Sequence, residues 1–386
     1  MPEILDFIGR VVVFLIGAAI VISVVAAAIR TFILPRSASH PLTNTVFRAV
    51  YVMFRTRAVR AKTYEERDSQ MALFAPMALL TLPVVWVLMI IAGYTLMFWS
   101  AFALPLYDSF SLAGSSLLTL GFTKSEGIAS LAFEFSAAIF GLTMVALLIA
   151  YLPTMYSAFS QREVMVTMLE ARAGAPPSAQ ELILRAYRIG GLGALDGTWH
   201  EWEHWFAEID ESHTSLVALV FFRSPDPHRS WVTAAGVMLD TAAILISAVE
   251  RDTPASARLM IRAGYVALRH IADYFAFDYN PTPQPDDPIS ISQVEFNELL
   301  DRLAEHGMPL KPDREQAWRD YAGWRVNYDR PLLALAAMTM APYAPWVSDR
   351  SLPIDFRKTH RPGALRRFTL QRSRRASKRQ RAQGSP

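Results

Sequence analysis

Two stretches of this 386-residue chain combine residue types that could do chemistry. In "HEWEH", His200 and His204 stand four residues apart, on one face of a helix, with Glu201 between them. Two imidazoles and a carboxylate so placed could hold Zn²⁺ beside a general base. Glu203, however, puts a charge where that motif carries an apolar residue, and Ala207 and Asp210 supply no third histidine. The competing reading is an amphipathic helix with Trp199, Trp202, Phe206 and Ile209 toward a core and both histidines on its polar side. That reading is preferred, so no metal site is expected; His200 and His204 are the residues that would form one. The second stretch, "GSSLLTLGFTK" (114–124), is rich in glycine and hydroxyl residues. Its carbonyl and hydroxyl oxygens could ligate a cation stripped of water.

Other combinations carry less. "GGLGALDG" (190–197) lacks the third glycine of a dinucleotide loop, because Asp196 stands there, and no strand precedes it. Arg223, Asp226, His228 and Arg229 crowd one Pro-bounded loop within 213–231, where a salt-bridge network is expected. Arg262, Arg269 and Asp273 recur at helical spacing and suggest an ion-pair stripe. Cysteine is absent, which removes thiolate ligands, thiol nucleophiles and disulfides together.

The elements that must position these residues are mostly apolar helices. Hydrophobic residues make up 52% and charged residues 19%, too apolar for an ordinary soluble chain and too charged for one wholly in a membrane. Three runs exceed the roughly 20 residues that cross a hydrocarbon core: about 7–34, 72–102 and 128–153. The first has Glu3 and Asp6, not a basic cluster, on its N-terminal side, so it reads as a span and not as a cleaved signal. Segment 30–70 holds eight Lys/Arg and segment 103–127 only Lys124. The positive-inside rule then puts the N-terminus and 103–127 outside, and 30–70 with the C-terminal part in the cytoplasm of an inner, plasma-membrane protein. Val46, Phe47, Val50, Tyr51 and Phe54 suggest a short amphipathic helix lying on the inner membrane surface.

Residues 161–356 read as an all-helical cytosolic domain. Helices are expected at about 178–189, 198–221, 228–250, 255–276, 291–306 and 313–340, with Pro-rich breaks at 173–178 and 280–288. "GVMLDTAAILISAVE" is apolar, but Asp240 and its length make it a buried soluble helix. From Arg357 onward there are 11 Lys/Arg and no Asp/Glu, which leaves residues 1–356 with 27 basic and 35 acidic side chains. The tail, 357–386, is expected to be a disordered basic arm facing anionic lipid, with no nucleic-acid role because no aromatic platform accompanies its charges.

Residues 71–160 resemble the pore domain of potassium channels of the two-helix type. That family runs outer helix, pore helix, a filter of the form T-V-G-Y-G-D, then inner helix. Thr119, Leu120, Gly121, Phe122, Thr123 and Lys124 fall on the six filter positions in order. Asp108 and Ser115–Ser116 fall in the pore helix, Gly141 at a mid-helix hinge and Pro153 near a cytoplasmic gate. The resemblance implies a homotetramer passing K⁺ through rings of backbone carbonyls, with no chemical step and no cofactor. Three positions depart from the pattern. Thr123 replaces a glycine where positive φ is expected, a strain of about 1–2 kcal/mol. Phe122 lacks a tyrosine hydroxyl. Lys124 replaces an acid, so four copies would repel cations at the outer mouth.

The reading is an all-α membrane protein with three transmembrane helices, one re-entrant pore loop and a helical cytosolic domain that regulates it. Its segments are 1–70 (first span and basic linker), 71–160 (pore), 161–356 (cytosolic) and 357–386 (tail). The alternatives are a non-conducting sensor or scaffold of the same architecture, and a membrane-tethered zinc hydrolase using His200, Glu201 and His204.

Overall fold

The computed structural model describes residues 2–32 and 41–350; the expected basic tail lies outside them. Among the described residues the protein is helical, with one isolated bridge, Val249 to Leu310, and no strand. The chain divides into two units, Met1–Phe159 and Ser160–Pro386.

The first unit gathers residues 1–70 and nearly all of 71–160 into one body. It contains α1 (Pro2–Phe32), α2 (Pro41–Ala58), α3 (Tyr64–Ala72), α4 (Phe74–Phe102), α5 (Leu106–Leu117) and α6 (Ile128–Ala173), which continues past the boundary. The windows Glu3–Thr31, Tyr64–Phe102 and Ile128–Ala173 are long and apolar enough to cross a membrane. α1 and α4 meet where neither has a side chain. A Cβ on Gly17 would lie 2.5 Å from the Gly93 carbonyl oxygen, and one on Gly93 would lie 2.9 Å from the Gly17 oxygen. Small residues at a crossing let apolar helices gain contact that lipid tails cannot offer. Phe133 of α6 packs against Phe14 of α1 and against Phe98 and Phe102 of α4, with centroids 5.8–6.3 Å apart. Tyr94 and Ser136 share a 2.7 Å hydrogen bond that ties α4 to α6.

The apolar stripe of α2 is covered by protein. Val50, Phe54 and Ala58 are buried, and the Tyr51 and Phe54 rings meet Phe74 at 5.2 and 6.3 Å. What α2 exposes is instead Arg48, Val52, Met53 and Arg57. The stripe expected on this helix is thus occupied in packing on the start of α4.

The second unit holds the end of α6 and then α7 (Ala179–Gly190), α8 (Asp196–Ser215), α9 (Trp231–Ala248), α10 (Ala255–Tyr274), α11 (Gln293–Glu305), α12 (Arg314–Arg325) and α13 (Asp329–Thr339). α9 is also span-like in length and composition, yet 94% of it is buried, packed by α7, α10, α12 and α13. It is the centre of the core. The helix expected over 313–340 is two helices. Pro331 has no N–H for the carbonyl four residues back, and the Asn327 amide donates to the Gly323 and Trp324 carbonyls at 2.9 and 3.3 Å, closing α12. The helix expected over 198–221 stops at Ser215 and gives way to a tighter turn over Val217–Phe221.

Candidate functional site

α4 ends at Ala103, whose φ of 54° is left-handed, and Pro105 starts a new segment. α5 follows. Its Ser109, Leu112, Ala113 and Leu117 recur at helical spacing and are buried, while Leu106, Tyr107 and Phe110 are exposed. The C-terminus of α5 closes with two crossed backbone bonds: Thr119 N–H donates to the Ser116 carbonyl at 3.1 Å and Leu120 N–H to the Ser115 carbonyl at 2.8 Å. Thr119 takes φ of 55° to make them. This is a Schellman closure, which usually uses glycine at that position.

Gly121 is the second left-handed residue, at φ 72°. Positive φ thus recurs two residues apart, at Thr119 and Gly121, and not at Thr123, where strain was expected. Thr123 has a different task. Its N–H donates to the Ser115 hydroxyl at 3.2 Å, and its own hydroxyl lies 3.2 Å from that of Ser111. Both serines belong to α5, so the far end of the loop is sewn back to the helix that precedes it. Among the described residues, no hydrogen bond uses the carbonyl oxygens of Leu118, Thr119, Leu120, Gly121 or Phe122. These residues are exposed, Leu120 by 60% and Phe122 by 66%. The arc therefore presents consecutive hard oxygens beside the negative end of a helix, chemistry that suits a cation.

Two features of α6 support this arc. A Cβ on Gly141 would stand 1.8 Å from the Leu117 carbonyl oxygen, so the last turn of α5 rests on bare α6 backbone. α6 runs unbroken through both Gly141 and Pro153. In this structure Gly141, which was expected as a hinge, also seats the last turn of α5. Glu134, which sequence reasoning passed over, is buried in α6 and accepts hydrogen bonds from the Ser125 N–H, at 2.9 Å, and from the Ser125 hydroxyl. A lone carboxylate in an apolar run was the available signal. Lys124 is exposed at the end of the arc.

The histidine motif has a different character. Trp199, Trp202, Trp205, Phe206 and Ile209 form the buried face of α8. His200 and His204 are 74% and 76% exposed and pair with Glu203 at 3.7 Å and Glu208 at 3.2 Å. Among the described residues no group of three metal-ligating side chains comes together. In the crowded loop, Arg229 pairs with Glu170 and His228 with Asp226, while Arg223 donates to the Thr339 and Met340 carbonyls that end α13. The expected stripe on α10 resolves differently: Arg269 donates to the backbone and side-chain oxygens of Asn327 and covers the Tyr265 ring.

The second unit buries two polar networks that no motif announced. In one, fully buried Arg325 donates twice to Asp240, at 2.7 and 2.8 Å, and once to Asp329. The Tyr321 and Tyr328 hydroxyls also donate to Asp240. Burial and the Asp240 carboxylate hold both phenols well above their ordinary pKa, so they remain donors. In the other, Arg162 donates to the Leu219 and Phe222 carbonyls at 2.8 and 2.7 Å, pairs with Glu163 and lies 3.2 Å from His213 Nε2. Burial, then the Arg162 charge, holds His213 well below its ordinary pKa, so its ring is neutral near pH 7.

No family model, no curated protein and no solved structure matches the chain.

Proposed function

We propose that this chain is a subunit of a homotetrameric, passive cation channel, with K⁺ as its permeant ion and residues 119–123 as its filter. In this reading α1, α4 and α6 cross the inner membrane, α5 and the arc re-enter it, the N-terminus is outside and the second unit is cytoplasmic and regulatory. The observation that carries the reading is the run of carbonyl oxygens from Leu118 to Phe122, free of internal donors, on backbone whose hand alternates at Thr119 and Gly121. Irregular backbone at membrane depth persists only where protein or a water-filled path surrounds it. An ion that sheds water needs such oxygens, and four arcs around an axis supply rings of them. The apolar exposed residues of the arc, Leu118, Leu120 and Phe122, then face other copies of the chain.

A non-conducting scaffold of the same architecture is the second reading, and Lys124 favours it, because four ammonium groups at the entrance oppose cation entry. Bilayer recording of the purified, intact oligomer separates the two. The parent is expected to pass K⁺. Lys124→Asp should raise the current, and Gly121→Ala, which costs about 1–2 kcal/mol of left-handed strain per chain, should abolish it. An intact oligomer that passes no current with either residue at position 124 sinks the channel reading and leaves the scaffold.

A further inference from the structure

Glu134 is the only charged side chain from Ile128 to Gln161. It lies in the second turn of α6, 9% exposed, in a stretch of helix that is otherwise uncharged for more than thirty residues. An ionisable group in such a place is costly and persists where it has a task. Its neighbours point to that task. One carboxylate oxygen, Oε1, collects both the N–H and the hydroxyl of Ser125, two residues beyond Thr123. The arc therefore has three fixed points. The cap at Thr119–Leu120 holds its start to α5, Ser115 and Ser111 hold Thr123 to α5, and Glu134 alone among these anchors holds its exit to α6.

We infer that Glu134 is a positioning residue for the filter: it fixes the exit of the arc against α6, and through Ser125 and Thr123 it sets where the Gly121 and Phe122 carbonyls stand. This rests on the channel reading. Ions of one charge and different radius are told apart by carbonyl number and placement, so an arc released at one end should lose discrimination before it loses conduction. The Ser125 N–H survives Ser125→Ala, so the carboxylate that accepts both bonds is the point of control.

The absence of cysteine gives a clean probe, because Phe122→Cys adds the only thiol, and places it on the arc that Glu134 is inferred to position. In that background we would compare Glu134, Glu134→Gln and Glu134→Leu in the assembled protein. One measurement is the rate at which a charged methanethiosulfonate modifies the introduced thiol; the other, without the cysteine, is the K⁺/Na⁺ permeability ratio from reversal potentials. Leucine removes the acceptor of two hydrogen bonds, and is expected to change the labelling rate by about tenfold or more and to drive the permeability ratio toward one. Glutamine keeps an oxygen at the same place and should restore both in large part. A variant that only melts earlier, with labelling rate and permeability ratio unchanged, would reduce Glu134 to a structural role and overturn the inference. If Glu134→Leu does not assemble, Ser125→Ala takes its place, with a smaller change in the same two measurements expected and no change in either overturning the claim. Labelling that responds to Glu134 in a protein that never conducts would remove the channel reading while leaving the anchor in place.

Discussion

Replacing Gly141 with alanine tests how α5 is held. The added Cβ would sit 1.8 Å from the Leu117 carbonyl oxygen and 2.9 Å from its carbon. An ordinary carbon–oxygen contact is about 3.3 Å, so α5 or α6 must retreat by roughly 1.5 Å. The obstacle is backbone in the last turn of a helix, which cannot rotate aside as a side-chain end could. Overpacking of this kind costs about 1–3 kcal/mol, and here it acts on the element that presents the arc. Gly114 is the natural control: it lies within α5, and a Cβ there meets nothing within 4 Å. Alanine at 114 should stabilise the helix by about 0.5–1 kcal/mol. The two substitutions are therefore expected to move the thermal unfolding of the purified protein in opposite directions and, on the proposed channel reading, Gly141→Ala also lowers K⁺ flux. A Gly141→Ala protein that melts and conducts like the parent would mean that α5 does not rest on α6, and the reasoning about the arc's support would fail with it. If Gly114→Ala instead destabilises the protein, that face is covered in the assembled state.

Two predictions concern the second unit. Arg325→Met leaves Asp240 and Asp329 buried without their cation and should cost about 3–5 kcal/mol in denaturant unfolding; a loss below about 1 kcal/mol would show that the network is not the anchor described. His213 binds a proton more weakly when folded, so as pH falls the unfolded chain is protonated first. Its contribution should be complete above about pH 6.5 and decline below it by up to about 1.4 kcal/mol per pH unit until the folded pKa is reached. Unfolding measured between about pH 5 and 6.5 should flatten in His213→Asn, and an unchanged slope would clear His213 of that role.

The elements were legible in sequence where a period or a length decides them. The apolar runs, the short helix before the arc and the tryptophan face of α8 all follow from spacing. What could not be read depends on partners distant in the chain. Spacing marks Gly141 as permissive but cannot reveal that the Leu117 carbonyl lies against it. Aligning a filter pattern assigned the strain to Thr123, yet the closure of α5 needs the left-handed residue at Thr119, and Thr123 is held by two serines instead. Asp240 was visible as an oddity in an apolar helix, but Arg325 is 85 residues away and nothing local pairs them. Helix 313–340 was read through Pro331, a break that its missing N–H should have announced.

The distance between Asp240 and Arg325 also has a meaning during synthesis. α9 has the length and composition of a membrane span, and it emerges from the ribosome 85 residues before the arginine that will neutralise its aspartate. At about 5–20 residues per second, that interval lasts roughly 4–17 s. Throughout it, a helix with the length and composition of a span exists without the arginine that balances its aspartate. An ionised aspartate midway along a helix opposes insertion by about 2.5–3.5 kcal/mol. The carboxylate that later grips Arg325 thus also sets an energetic cost against lipid burial of α9 during the interval before its arginine has been made.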